Sequence, residues 1–120
     1  VCDRLLAMND IARPSARRVV TFSHFVPRPD LLLRSERWAF LDPVMGCVGL
    51  DLQVRAMGSH MHVFGHSHRQ VTLERDGVLY LNRALGYPSE QGAESPRLQR
   101  IDHFLDAPRL RDAGNEDAAT

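Results

Sequence analysis

The chain has 120 residues, 43% of them hydrophobic, which suits one domain with a core of its own. Fifteen basic and fifteen acidic residues cancel, so no bulk field draws in nucleic acid or an anionic membrane surface, and no stretch reaches the roughly 18 apolar residues of a membrane span. Every basic residue is arginine, and the lack of lysine excludes Schiff-base and P-loop chemistry.

Cys2 opens the chain far from Cys47, with no CxxC spacing. That pattern disfavours a disulfide framework or a thiolate zinc knuckle and favours a reducing, cytoplasmic setting. Leu5, Leu6, Met8 and Ile11 recur at near-helical spacing and predict a short helix over 3–12, stopped before Pro14. Residues 17–23, with the continuous run Val19-Val20-Thr21-Phe22, predict a strand buried on both faces. Pro27 and Pro29 prevent its continuation, so His24 falls where strand gives way to loop.

Residues 30–40 read as a loop with a turn of helix near Leu31, with Trp38 and Phe40 as packing anchors, and Asp42-Pro43 reads as a further turn. A helix is expected over 49–57, where Leu50, Val54 and Met57 share a face and Gly58 supplies the cap. Met61 to Phe64 is the next strand. Two more, over 69–74 and 78–82, flank Asp76-Gly77, a hairpin signal. Residues 84–94 read as an irregular loop and 98–101 as a last short strand. From residue 107 the chain is polar and small, which predicts a disordered tail after one domain over 1–106.

Four of the six histidines fall between residues 60 and 68, and His24 comes from a separate strand end. Gly65-His66-Ser67-His68 follows an apolar strand, and its glycine is expected to let the backbone turn so that neighbouring imidazoles converge on metal. Each ring has a blander alternative: His24 capping a strand end, His60 solvated, His62 partly buried and hydrogen-bonded, His103 exposed. Three neutral imidazoles, His24, His66 and His68, make an open mononuclear zinc site of their own. In a further alternative they are structural parts of a non-catalytic interaction module. Asp30 and Asp42 lie in loops and are not assigned to the site.

Val20-Thr21-Phe22-Ser23-His24-Phe25-Val26-Pro27, followed by His62-Val63-Phe64-Gly65-His66-Ser67-His68, resembles the last two signature blocks of the calcineurin-like metallophosphoesterases. The similar stretch spans residues 17–90. It implies hydrolysis of phosphate esters at a dinuclear centre of manganese, iron or zinc, with His24 and His66 on one ion, His68 on the other, and Arg28 or Arg69 steadying phosphate oxygens. It also implies an α+β fold: the C-terminal half of a β-sandwich flanked by helices, with a mixed sheet and a β-hairpin. The family's three earlier blocks, Asp-x-His, Gly-Asp-x-x-Asp and Gly-Asn-His-Asp/Glu, do not occur in residues 1–23. The expectation is therefore a truncated enzyme with no catalytic residue of its own beyond the metal ligands. It would need the missing N-terminal half for a complete site, and would bind metal weakly and turn over little or no substrate alone. The sheet face carrying Val20, Phe22 and Val63 would lack its partner.

Overall fold

Three parallel strands and one antiparallel strand form the sheet in the computed structural model, which describes residues 2–32, 36–91 and 98–106. After helix α1 (Cys2–Ala7) come β1 (Val20–Phe22), 3-10 turns at Pro29–Leu31 and Glu36–Leu41, and helices α2 (Asp42–Met45) and α3 (Val48–Ala56). Then follow β2 (Met61–Phe64), β3 (Val71–Arg75), β4 (Val78–Asn82), a 3-10 turn at Pro88–Glu90 and helix α4 (Asp102–Asp106). The spatial order is β1-β2-β4-β3, with β1, β2 and β4 parallel and β3 antiparallel to β4. The fold is thus α+β with a mixed sheet.

Local chemistry explains most of these elements. Asp76 and Gly77 both have positive φ, 49° and 77°, the backbone of a two-residue turn that matches strand twist. Gly58, at φ 67°, ends α3 and donates its N–H to the Arg55 carbonyl at 2.9 Å. Asp42-Pro43 opens α2 rather than closing a turn, because proline is pre-set for the first helical positions. At Gly46 a Cβ would stand 1.9 Å from the Val26 carbonyl oxygen, so only glycine lets this segment pair with the chain after β1.

Register decides the two faces. Thr21 aligns with His62 and His62 with Tyr80, so these side chains share one face with Phe64 and Val71. On that face Phe64, Val71, Val78 and Tyr80 pack with Val54 of α3 and with Val26, Leu31 and Leu32. The opposite face carries Val20, Phe22 and Val63. There Phe22 is 85% exposed, while Met61 and Leu81 are buried.

Several expectations are corrected. Helix α1 stops at Ala7, and β1 is a three-residue edge strand with an exposed–half-buried–exposed pattern, not a doubly buried one. A continuous β-branched run gives no sign of whether a strand has neighbours on both sides. Residues 98–101 are irregular and lead into α4. Phe40 is 71% exposed and anchors no core, and the Trp38 side chain lies outside the described residues, as does the tail from 107. Cys47 is disulfide-bonded, against the expectation of unpaired thiols. Among the described residues there is one sheet, and no helix is long and apolar enough to cross a membrane.

Candidate metal centre

Parallel pairing brings the two histidine loops together. Phe22 lies opposite Val63, so β1 and β2 end side by side. The ladder runs on beyond the strands, from Ser23 N to Val63 O at 3.0 Å and from Gly65 N to His24 O at 3.1 Å. The open end of parallel strands is where α/β sheets place ligands, because backbone and side chains there diverge into a crevice.

His24 Nε2 stands 3.1 Å from His66 Nδ1, and the two rings meet edge to face with centroids 4.9 Å apart. The Phe25 ring props both, at 5.3 Å from His24 and 5.1 Å from His66. The other His66 nitrogen, Nε2, lies 3.1 Å from the Val44 carbonyl oxygen. A carbonyl only accepts, so Nε2 carries the proton and Nδ1 of the neutral ring keeps its lone pair. His24 Nε2–H then donates to His66 Nδ1.

Two nitrogens bound cis to one cation at about 2.0–2.1 Å stand roughly 2.8–3.4 Å apart, from octahedral to tetrahedral geometry. The observed 3.1 Å falls within that window, which it shares with the N–H···N hydrogen bond the two rings make here.

His68 is held elsewhere. Its Nδ1 meets Glu90 Oε2 at 2.8 Å and its ring packs edge-on to Tyr87 with centroids 4.8 Å apart. Glu90 Oε2 also accepts the Tyr87 N–H at 2.7 Å. That amide first, and His68 second, hold the Glu90 carboxyl below its usual range. Between the two histidines, Ser67 Oγ accepts from the Asn82 amide at 3.1 Å, which ties the loop to the end of β4. Among the described residues no three His, Cys, Asp or Glu side chains are gathered closely enough to hold one ion.

The glycine of the motif does not supply the turn. A Cβ on Gly65 would meet only ordinary contacts of 3.5 and 3.7 Å with His24, and the left-handed residues are His66 (φ 64°) and His68 (φ 51°) themselves. Non-glycine residues in that region carry strain of order 1–2 kcal/mol, and such strain collects at functional sites.

A cleft of about 940 Å³ opens over the three histidines, with Asp42, Arg69 and Glu90 also on its walls. Asp42 and Glu90 are the carboxylates that sequence reasoning missed. In the sequence Asp42-Pro43 reads as a turn and Glu90 falls in the irregular loop over 84–94, whereas they open α2 and close a 3-10 turn beside the histidine loop. Arg28 is committed elsewhere, to Asp30 at 2.9 Å and Asp76 at 2.8 Å, with its guanidinium 5.8 Å from the centre of the Tyr80 ring.

The remaining histidines serve the fold. His62 is buried, with Nδ1 2.8 Å from Thr21 Oγ1 and Nε2 3.0 Å from Ser23 Oγ. Burial pushes it down to about 4, partly countered by the Asp51 charge. His60 is half-buried rather than solvated and accepts the Val19 N–H at 3.3 Å, while His103 is exposed beside Phe104. No protein-family model, curated protein or solved structure matches the chain.

Proposed function

We propose that this chain supplies the histidine ligands of a metal-dependent phosphoesterase centre of the calcineurin-like type. The observation that carries the reading is the 3.1 Å approach of His24 Nε2 to His66 Nδ1 at the open end of two parallel strands, each from a separate sequence block. His24 and His66 take one divalent cation and His68 takes a second. A bound cation supplies a Lewis acid that draws charge from the phosphate oxygens. The chain's own groups fix the rings: the Val44 carbonyl holds His66 and Phe25 wedges both rings, while Arg69 on the cleft wall offers a guanidinium to a phosphate oxygen.

Two divalent ions need more anionic ligands than the cleft offers. Hydrolysis by the chain alone is therefore slow or absent, and the finer architecture we assign is one sheet of a two-sheet sandwich whose other half brings the remaining ligands. The exposed Phe22 favours a second sheet on that face. A mononuclear zinc site of His24, His66 and His68 has less support, since these rings do not gather around one point.

The test is titration of the purified chain with Mn2+ and Zn2+, read by calorimetry, with His24→Ala and His66→Ala alongside. Micromolar or weaker binding that either substitution abolishes supports the reading. Equal binding by wild type and both variants removes it. Turnover of an aryl phosphate well above that of the free metal would show that the chain needs no further ligands.

A further inference from the structure

Asn82 ends β4 opposite Phe64 and Val71, so its side chain lies on the core face, where it is fully buried. Its Nδ2 donates to Ser67 Oγ at 3.1 Å and, more weakly, to the Gly65 carbonyl at 3.5 Å. Its Oδ1 is buried too, and among the described residues it accepts from nothing. An orphaned buried acceptor lowers stability, whereas an apolar side chain of similar shape at the same place is nearly neutral. Packing alone therefore gives no reason for an amide here, and the reason lies in what Nδ2 holds.

The held segment is a strained turn. Ser67 donates its N–H to the Gly65 carbonyl at 2.7 Å, and His66 between them has φ 64°. A carbonyl bonded to the N–H two residues on, across a left-handed centre, is the rare and strained form of the γ-turn. Such a conformation persists only where its surroundings over-determine it. The two Asn82 contacts fall on the two residues that flank His66. The turn in its place carries the His66 ring to the cleft wall, with Nδ1 3.1 Å from His24 Nε2. The bond from Gly65 N to the His24 carbonyl, at 3.1 Å, fixes where the turn begins but not its hand.

We infer that Asn82 is a positioning residue for the candidate site: its buried amide clamps the residues on either side of His66 and so holds the turn that sets the His66 ring against His24 before any ligand arrives. This rests on the cleft being the functional site and requires no metal in it. The unbonded Oδ1 is the stability forgone for that geometry.

The experiment uses the full chain without metal at pH 8, above the ordinary imidazole range, as wild type, Asn82→Leu, Ser67→Ala and Ser67→Thr. NMR reads the 15N–15N coupling across the His24–His66 hydrogen bond and the HN–Hα coupling that reports φ at His66, and urea unfolding reads the midpoint. Wild type should show the N–N coupling and a positive φ. Asn82→Leu removes the clamp and the orphan together, so it should lose both signals while unfolding at the same or a higher urea concentration. Ser67→Ala, outside the core, should weaken both signals, and Ser67→Thr, which keeps the hydroxyl, should retain them. The Ser67 pair carries the test should Asn82→Leu not fold. Both signals intact in folded Asn82→Leu, or in Ser67→Ala, would overturn the inference. Lost signals together with a lower midpoint in Asn82→Leu would overturn it as well, because the amide would then serve the fold and the turn merely follow. Absence of the N–N coupling from wild type would remove the geometry on which it stands. None of these readings involves a cation, so they are independent of the calorimetric titration that judges the phosphoesterase reading.

Discussion

The buried His62 ring reaches Ser23 Oγ at 3.0 Å, and Ser23 passes its own hydrogen to the Phe25 carbonyl at 2.6 Å. On the other side, Nδ1 meets Thr21 Oγ1, which meets Ser59 Oγ, which reaches the Met61 carbonyl. These contacts tie β2 to β1 at the point where His24 leaves the sheet. A neutral ring brings one hydrogen too few for the whole chain of contacts, and an imidazolium would satisfy them all. One hydrogen bond contributes about 1 kcal/mol, whereas burying an uncompensated charge costs several. Burial therefore wins and the ring stays neutral.

The first prediction concerns pH. Burial lowers the His62 pKa from 6.5 to about 4. Below the unfolded value the unfolded chain takes up a proton that the folded chain refuses, so the stabilising effect is complete above pH 6.5 and is lost as pH falls toward 4. The shift corresponds to about 3 kcal/mol. Urea unfolding at pH 7, 5.5 and 4.5 should show stability falling with pH, and His62→Gln should flatten the slope. An equal slope in the variant would assign the effect to other groups.

A second prediction tests the polar anchor beneath the sheet. The Tyr80 hydroxyl donates to Asp51 and lies 3.2 Å from Arg55 Nη2, and burial first, then that carboxylate, pushes the phenol up to about 12. Tyr80→Phe leaves a buried carboxylate one donor short and should cost about 1–3 kcal/mol in urea unfolding. With the folded pKa raised, wild type should also lose stability as pH rises from 10 toward 12, and Tyr80→Phe should not. A variant as stable as wild type at pH 7 would mean that Arg55, with Arg28 3.7 Å away, satisfies Asp51 without the phenol.

What the sequence revealed follows the range of the forces involved. Strand β2 and the Asp76-Gly77 hairpin were legible because alternation and a two-residue turn are local signals. So was the placing of His24 and His66 at strand ends. Their mutual approach depends on β1 and β2 being adjacent and parallel, which the chemistry of the two blocks suggested but periodicity alone did not. The exposure of β1 was hidden, since Val19-Val20-Thr21-Phe22 reads alike in an edge or a central strand. Glu90 was hidden for another reason: a single loop carboxylate gives no sign of where it lands until the Gly86 turn and the His68 backbone are placed together. Residues 98–101 were too short a segment for strand and irregular chain to be told apart.

The third prediction follows from that edge. Phe22 is 85% exposed on a strand whose outer side is unpaired among the described residues, the arrangement that promotes self-association. Phe22→Ser should leave unfolding free energy within about 0.5 kcal/mol, as for other exposed positions. It should also reduce concentration-dependent light scattering. Unchanged scattering would place the sticky surface elsewhere.

The last prediction separates the backbone demand at residue 66 from the side-chain demand. His66 sits at φ 64°, a conformation that asparagine adopts readily and a β-branched residue does not. His66→Asn should therefore keep the backbone unstrained, losing the exposed ring contacts to Val44, His24 and Phe25. His66→Val should be less stable than His66→Asn by about 1–2 kcal/mol, because its branched Cβ clashes in the left-handed region. Both variants lack the Nδ1 lone pair that faces His24, so both should lose Zn2+ binding alike in the calorimetric titration. Equal stability of the two would show that the loop relaxes to another backbone. Retained Zn2+ binding in His66→Asn would show that the 3.1 Å pair is a hydrogen bond of the fold and not a ligand pair.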